Sequence, residues 1–308
     1  MAGPKQRRGL VKRFTRPQQK CILIGVGMYR YPDPETVNKI IGTMYHFAAL
    51  DTGYVLDYKS VTACAIPDTR GKMVDHVLSD PTISHALFID DDMNWPLGEG
   101  FSGDGSKLKG FNPLERLLMR DKDVVGALCF SRDPGVTPYV GRETPDGMCE
   151  FIQDPAIIGS AEPFQVDFIG FGMVLIKRKV FERVALSMGL NPGHDSMAPM
   201  FRGTSNWRHD ARAREEFARA LAQYNVEIGL GDVMAKERLC DSIDSIQGRT
   251  TMLLDDFGFC RRARQVECEV WCDPSFDCVH IGRYSYGRMD WLARHRVLSE
   301  AAEEQAAN

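Results

Sequence analysis

Three adjacent carboxylates, Asp90-Asp91-Asp92, close the apolar run His85-Ala-Leu-Phe-Ile. Neighbouring acids repel one another, so the arrangement is costly unless a cation or hydrogen-bond donors offset it. A buried strand that delivers acids at its carboxyl end is also where open α/β sheets place ligands. A second acidic pair, Asp255-Asp256, lies far downstream, followed by a histidine in Val279-His280-Ile281-Gly282. Oxygens from Asp90 and Asp92 with the imidazole of His280 form a donor set suited to octahedral Mn²⁺ or Mg²⁺ with positions left open. Such an ion holds a diphosphate and neutralises charge on a leaving group. A carboxylate of the second pair, placed on the acceptor side, takes a proton from an attacking hydroxyl as a general base. Each group also has a plainer reading: a turn and helix cap for 90–92, a surface or core histidine for His280, and an N-cap pair favourable to the helix dipole for Asp255-Asp256. What favours a site is that the pieces occur together and in this order.

The elements that must position these groups alternate. Lys20–Met28 reads as a buried strand, and Val37, Ile40, Ile41, Met44, Tyr45 and Ala48 recur at helical spacing. Val55–Val61 predicts a second strand, and Thr69–Leu78 a second helix with Met73, Val74, Val77 and Leu78 inward. The run into Asp90 is the third strand. This alternation predicts an α/β fold with a mostly parallel, Rossmann-like sheet flanked by helices. Residues 98–110, rich in Gly, Ser and Lys, read as a mobile loop beside the acids. Asn112-Pro113 opens a short helix through Met119, Asp123–Phe130 is a further buried strand, and residues 132–163 form an irregular hairpin region. In Val166–Lys177 a turn containing Gly170 and Gly172 feeds a strand, and those glycines let backbone approach either a ligand or a neighbouring strand. A helix follows from Arg178. Residues 187–250 break the rhythm around one charged helix, Ala211–Tyr224, and read as an inserted acceptor-side lobe. Beyond the helix opened by Asp255-Asp256, two separate strands are predicted, Glu267–Asp273 and Phe276–Gly282, then a C-terminal helix and frayed tail over 286–308.

Composition is that of a soluble protein: 44% hydrophobic, 26% charged, net charge −4. The longest early apolar run, Cys21–Met28, is far too short to span a membrane and shows no signal-peptide pattern, so a cytoplasmic protein without membrane contact is expected. Nine cysteines lack any CxxC pair and read as buried free thiols; Cys268 and Cys272, in one strand, would stand about 13 Å apart, too far for a disulfide. Residues 1–20 carry seven lysines and arginines and no acid, which leaves the remaining body at −11. A basic arm (1–19) on an acidic body suggests an anionic partner, nucleic acid among them, although a solvated tail with no dedicated partner has the same composition.

Taken together, four segments resemble the GT-A glycosyltransferases, family-2-like members in particular. Phe-Ile-Asp90-Asp91-Asp92-Met looks like their DxD motif, Val166–Arg178 like their glycine turn, strand and helix, and Leu254-Asp255-Asp256-Phe-Gly-Phe-Cys260-Arg-Arg-Ala like their segment of paired acids, aromatic, cysteine and basic helix. Trp271-Cys-Asp273-Pro and Val279-His280-Ile-Gly282 are similar to the strand and metal-binding histidine that follow. The resemblance covers roughly residues 20–180 and 250–285 of a catalytic domain spanning 20–285. It implies Asp92 on the metal, Asp90 or Asp91 on the metal or the donor ribose, His280 completing the metal site, and Asp256, next to Asp255, as the base of an inverting reaction. It further implies Arg70 and Tyr29 as donor contacts, Gly170 and Gly172 lining the sugar, and Mn²⁺ or Mg²⁺ with a nucleotide sugar, foremost a UDP-sugar. Compact enzymes of this kind in bacteriophages decorate modified DNA bases, and the basic arm with Arg202, Arg208, Arg212 and Arg214 would suit DNA as acceptor. Two other functions use the same acids: a metal-dependent nuclease or nucleotidyltransferase, and a GT-A domain that binds nucleotide sugar or nucleic acid without transfer.

Overall fold

The computed structural model describes residues 19–28, 32–62, 65–101, 107–131, 137–145, 147, 149–202, 204–205, 211–229, 235, 238–239, 252–253, 255–281, 287–288 and 291. Within them the chain runs β1 (Lys20–Met28), α1 (Pro34–Ala48), β2 (Tyr54–Thr62), α2 (Ile66–Ser79), β3 (Ile83–Asp90), β4 (Met93–Asn94), β5 (Gly98–Phe101), β6 (Lys107–Phe111), α3 (Pro113–Met119), β7 (Val124–Cys129), β8 (Val140–Glu143), β9 (Cys149–Phe151) and α4 (Pro155–Ile158). It continues with β10 (Phe164–Val166), β11 (Phe168–Ile169), β12 (Met173–Lys177), α5 (Arg178–Ser187), a 3-10 turn Ala198–Phe201, β13 (Thr204–Ser205), α6 (Ala211–Gly229), β14 (Met252–Leu253), α7 (Asp255–Gln265) and β15 (Val270–His280).

The central sheet is ordered β10-β15-β7-β12-β3-β1-β2, with β4 added beside β15. Strands β1, β2, β3, β7 and β15 point one way, and β12 and β10 run against them. This is the mainly parallel α/β fold that the alternation of elements predicts. The chain enters the sheet at β10 already running against the parallel strands, and beyond the Gly170–Gly172 turn β12 lies antiparallel between β3 and β7.

Each face of the sheet has its own apolar core. Leu23, Phe88, Val174 and Ile176 point to the side covered by α2, α5 and α7, where Met73, Val74, Val77, Phe181 and Phe259 are fully buried. Ile22, Ile24, Leu87, Ile89 and Leu175 point to α1 and α3, against Ile40, Phe47, Leu114 and Leu117. The period-two alternation within β1 and β3 thus feeds both cores, which is why these strands read as unbroken apolar runs. Helix boundaries follow local chemistry. The Asp33 carboxylate accepts from the Glu35 N–H ahead of Pro34, and the Asn112 side chain accepts from the N–H groups of Leu114 and Glu115 ahead of α3.

Three readings of the sequence change. Residues 98–101 and 107–111 pair antiparallel as β5 and β6, and Gly98 and Gly110, at φ +73° and +61°, shape the two strands. A glycine- and lysine-rich composition says loop only until the two halves are seen to pair. The two strands expected over 267–282 are one, β15, whose register on β7 slips between Asp273 and Asp277. The buried Asp273 carboxylate holds that bulge by accepting from the Ser275 N–H and from the Arg120 guanidinium, so Pro274 interrupts the ladder without ending the strand. Cys268 falls before this strand rather than inside it, while Cys272 lies within it. The seven described cysteines are all free thiols.

Residues 197–201, expected inside the inserted lobe, belong to the core. Met197, Met200 and Phe201 are fully buried, and the Phe201 ring stacks on Phe259 at 4.9 Å and 8°. The turn lies so close to α2 that a β-carbon on Gly71 would sit 2.4 Å from the Ala198 N and 2.6 Å from its Cα. Because both atoms are backbone, Gly71→Ala is expected to cost about 1–3 kcal/mol, read as a lower denaturant midpoint with an unchanged slope. A midpoint equal to wild type would show that this helix and turn do not need the close approach. The excursion beyond begins at β13 and returns at β14, which pairs with it antiparallel immediately before Asp255. No helix among the described residues is long and apolar enough to cross a membrane.

Candidate active site

Strand β3 ends at Asp90, and the tight turn Asp91-Asp92 leads into β4. Both turn carbonyls are used: Asp91 O accepts the Asp33 N–H at 2.8 Å and Asp92 O accepts the Ile281 N–H at 2.7 Å. Pairing of Met93 with His280 closes the gap of nearly two hundred residues, because β15 lays its carboxyl end against β4. The His280 Nδ1–H donates to the Phe130 carbonyl at 2.6 Å. A carbonyl oxygen can only accept, so this bond places a proton on Nδ1, and in a neutral ring Nε2 is then the nitrogen that ligates or accepts.

The acidic pair at the start of α7 reaches the same place from the other face. Arg70, in the first turns of α2 and buried with only 5% of its side chain exposed, is the hub. Its Nη1 donates to Asp255 Oδ2 at 2.7 Å and to Asp256 Oδ1, and its Nη2 donates to Asp90 Oδ1 at 3.3 Å. The guanidinium carbon also stands 4.9 Å from the centroid of the Phe171 ring. The second oxygen of Asp256 accepts the Phe171 N–H at 2.9 Å, which ties the base candidate to the glycine turn. One guanidinium thus joins three carboxylates from two distant segments, a fork geometry that lysine lacks.

The electrostatics follow from that count. Although burial lowers the Arg70 pKa, the neighbouring Asp256, Asp90 and Asp255 carboxylates raise it further, for a net rise above its ordinary value. The Asp90 carboxyl is raised to about 6, chiefly by burial, with Arg70 opposing the rise and Asp256 adding to it. Asp255 is raised by burial and then by Asp256, with Arg70 opposing. Asp90 keeps 37% of its side chain open to the cavity mouth, so it remains reachable from solvent. Three acids sharing one cation leave the site net negative.

A cavity of about 390 Å³ opens here, within the range of small-molecule sites, and Asp90, Asp256, His280, Gly170 and Gly172 all line it. Four further lining residues, Cys129, Ser131, Tyr139 and Phe171, escape the sequence reading. Only Phe171 carried a usable signal, its place between the two glycines. The glycines answer the question left open about what comes close to them. A β-carbon on Gly170 would meet the Tyr139 Cβ at 3.0 Å and its ring at 3.1 Å, and one on Gly172 would meet Met93 and Cys129 at 2.7 and 2.8 Å. They admit neighbouring side chains, and the turn they form is a wall of the cavity.

Of the three expected metal ligands, Asp90 and His280 share this cavity, whereas the Asp92 side chain is not among its lining residues. Among the described residues no group of three or more His, Cys, Asp or Glu side chains converges as a metal centre. The fit to a divalent cation is therefore a pair of side chains, Asp90 and His280, in a cavity whose surplus negative charge a cation would offset. Tyr29, Arg208 and residues 1–18 lie outside the described residues, as do the side chains of Arg212 and Arg214. Arg202 is exposed, and its carbonyl accepts from Arg262.

No family model matches the sequence, and no curated protein does. Among solved structures the chain is similar to A197 from STIV, at 12% identity over 85% of this chain and 86% of that one, with a TM-score of 0.42. It is also similar to a glycosyltransferase involved in the glycosylation of the major capsid of PBCV-1, at 12% identity, 54% and 67% coverage and TM-score 0.26. A third is a protein described as a glucose-1-phosphate thymidylyltransferase from Bacillus anthracis, at 13% identity, 56% and 78% coverage and TM-score 0.27. At these scores the likenesses carry no argument about activity.

Proposed function

We propose that the protein moves a sugar from a nucleotide-sugar donor, foremost a UDP-sugar, to a hydroxyl acceptor with inversion at the anomeric carbon. The observation that carries this reading is the convergence of Asp90, His280 and Asp256 from three separate segments on one cavity walled by the Gly170–Gly172 turn. In the reaction the acceptor oxygen bonds to the anomeric carbon as the bond from that carbon to the diphosphate breaks, and the hydroxyl proton passes to an Asp256 oxygen. Arg70 and the Phe171 N–H, each donating to one of its oxygens, hold that carboxylate in place. Asp90 and His280 would hold Mn²⁺ or Mg²⁺, which supplies positive charge to the departing diphosphate when bound. DNA is the acceptor we favour, on the strength of the basic residues 1–20 and of Arg202, Arg208, Arg212 and Arg214; the last three lie in the excursion that leaves at β13 and returns at β14, next to Asp255. The reaction belongs, in this reading, to the cytoplasm.

A thermal-shift screen of nucleotide sugars with and without Mn²⁺ tests the donor half. A donor at a hundred times its dissociation constant stabilises the fold by about 2.7 kcal/mol, and the shift is expected only when metal is present. No shift with any donor would sink the transferase reading. Turnover of a nucleoside triphosphate with a sugar phosphate, in place of sugar transfer, would point to a nucleotidyltransferase.

A further inference from the structure

Strand β2 is one edge of the central sheet, and among the described residues nothing pairs with its outer side. A nine-residue open edge is a template for another strand, and proteins that keep such an edge solitary blunt it with proline, bulges or charge. Here there is no proline and the register with β1 runs unbroken from Tyr54 to Thr62. The charges present are one acid and one base, Asp57 and Lys59, on either side of Tyr58.

Their spacing has a specific property. If β2 meets a second β2 antiparallel about a two-fold axis through Tyr58, Asp57 falls opposite the partner's Lys59, and Lys59 opposite the partner's Asp57. The same register sets Val55 against the partner's Val61, an apolar pair of equal size, while Leu56 falls opposite the partner's Ser60, a pair matched in neither polarity nor size. A slip of one or two residues breaks the charge match. Hydrogen-bonding direction agrees: the Tyr58 N–H donates to the Asp57 carboxylate at 2.8 Å, as an N–H turned to the open side of the strand does, and the even-numbered residues share its direction. In the pair the partner's Tyr58 carbonyl takes over that N–H. Asp57 still contacts His76 Nε2 at 2.8 Å, which keeps its carboxylate on the α2 face, where Lys59 also lies close enough to Asp75 to oppose the rise that burial gives the Asp75 pKa.

The surroundings of the edge are apolar. Five of the eleven large hydrophobic side chains that stand exposed among the described residues, Ile41, Tyr45, Leu50, Val55 and Tyr58, lie on β2, the adjoining face of α1 or the turn between them. Tyr45, Leu50 and Val55 border a groove of about 630 Å³ at the start of β2. Such a cluster on one side of a molecule marks an interaction surface.

We infer that the protein is a two-fold dimer in which β2 pairs antiparallel with its own copy through Tyr58, making one continuous sheet across both subunits. Self-complementary charge on a surface that must face itself is what an isologous interface requires. The two copies of the sheet run in opposite directions, so the candidate sites at the carboxyl ends of the strands open at opposite ends of the assembly and do not share residues. The inference does not depend on the proposed reaction.

Sedimentation or light scattering of the full chain is expected to give twice the chain mass. Tyr58→Lys, which puts two ammonium groups face to face on the axis, and Lys59→Glu, which sets Glu against Asp57, are each expected to give a folded monomer with an unchanged circular dichroism spectrum. The charge swap Asp57→Lys with Lys59→Asp restores the dimer. Register is read by cysteine scanning. Tyr58→Cys cross-links under mild oxidation, because residues opposite in a hydrogen-bonded pair stand about 5.5 Å apart at Cα. Leu56→Cys does not, being separated from its own copy by about 13 Å. A wild-type monomer, or a dimer that survives Tyr58→Lys and Lys59→Glu, overturns the proposal. Cross-linking at 56 in place of 58 does so as well.

Discussion

Asp256→Asn is expected to abolish most sugar transfer while donor binding stays within a few-fold of wild type. A positioned general base contributes about 10²–10⁴-fold, and an amide of the same shape cannot accept the acceptor's proton. Asn keeps one oxygen to receive either the Arg70 or the Phe171 N–H, so the wall of the cavity survives although the charge is gone. The measurement separates two quantities, the single-turnover transfer rate and the donor-induced thermal shift. A variant that transfers at the wild-type rate would return the chain to a binding role. One that loses donor binding together with transfer would make Asp256 a donor contact instead of the base.

Arg70→Ala is expected to be the most destabilising single change in the site. Removing one partner of a buried ion pair costs about 3–5 kcal/mol, and here three carboxylates lose the same partner. The pH dependence identifies the cause. Asp90 titrates near 6 in the folded protein against an ordinary value of 3.8, so the folded state binds the proton more tightly. The stability linked to that proton is complete below about 3.8 and is lost as pH rises through about 6. Without Arg70, which lowers the Asp90 pKa, the window moves upward. The deficit of Arg70→Ala is therefore expected to be large at pH 7.5 and to shrink as the pH falls to 5, in paired denaturant titrations. A deficit of equal size at both pH values would mean that Arg70 acts through packing on Phe171 alone. Arg70→Lys is expected to fall between the two, since a single ammonium cannot reach three carboxylates with directed bonds.

The same arginine shows where sequence reasoning stopped. By itself Arg70 in Asp-Thr-Arg70-Gly is an unremarkable polar residue at a helix start, and resemblance implied a donor contact. In the fold its described bonds all go to the acids, because Gly71 lets α2 settle against the 3-10 turn and so sets the guanidinium between β3 and α7. No spacing along the chain carries that information, since the partners lie 20, 185 and 186 positions away.

What the sequence determined by itself are the properties written at short range. Alternation within β1 and β3 feeds two cores, the caps at Asp33 and Asn112 open helices, and acids emerge at the end of an apolar strand. These depend on backbone periodicity and on hydrogen bonds spanning two or three residues. Tertiary structure alone decided the reversal of β12, the merging of two expected strands into β15 across the Asp273 bulge, and the pairing of β5 with β6. It also decided that Asp90 and His280 would line one cavity, whose lining does not include Asp92. Those outcomes turn on which strand pairs with which and on single bonds between distant segments, such as Ile281 N–H to Asp92 O. A local pattern states which residues want burial or a partner; which partner they obtain is settled only when the sheet is assembled.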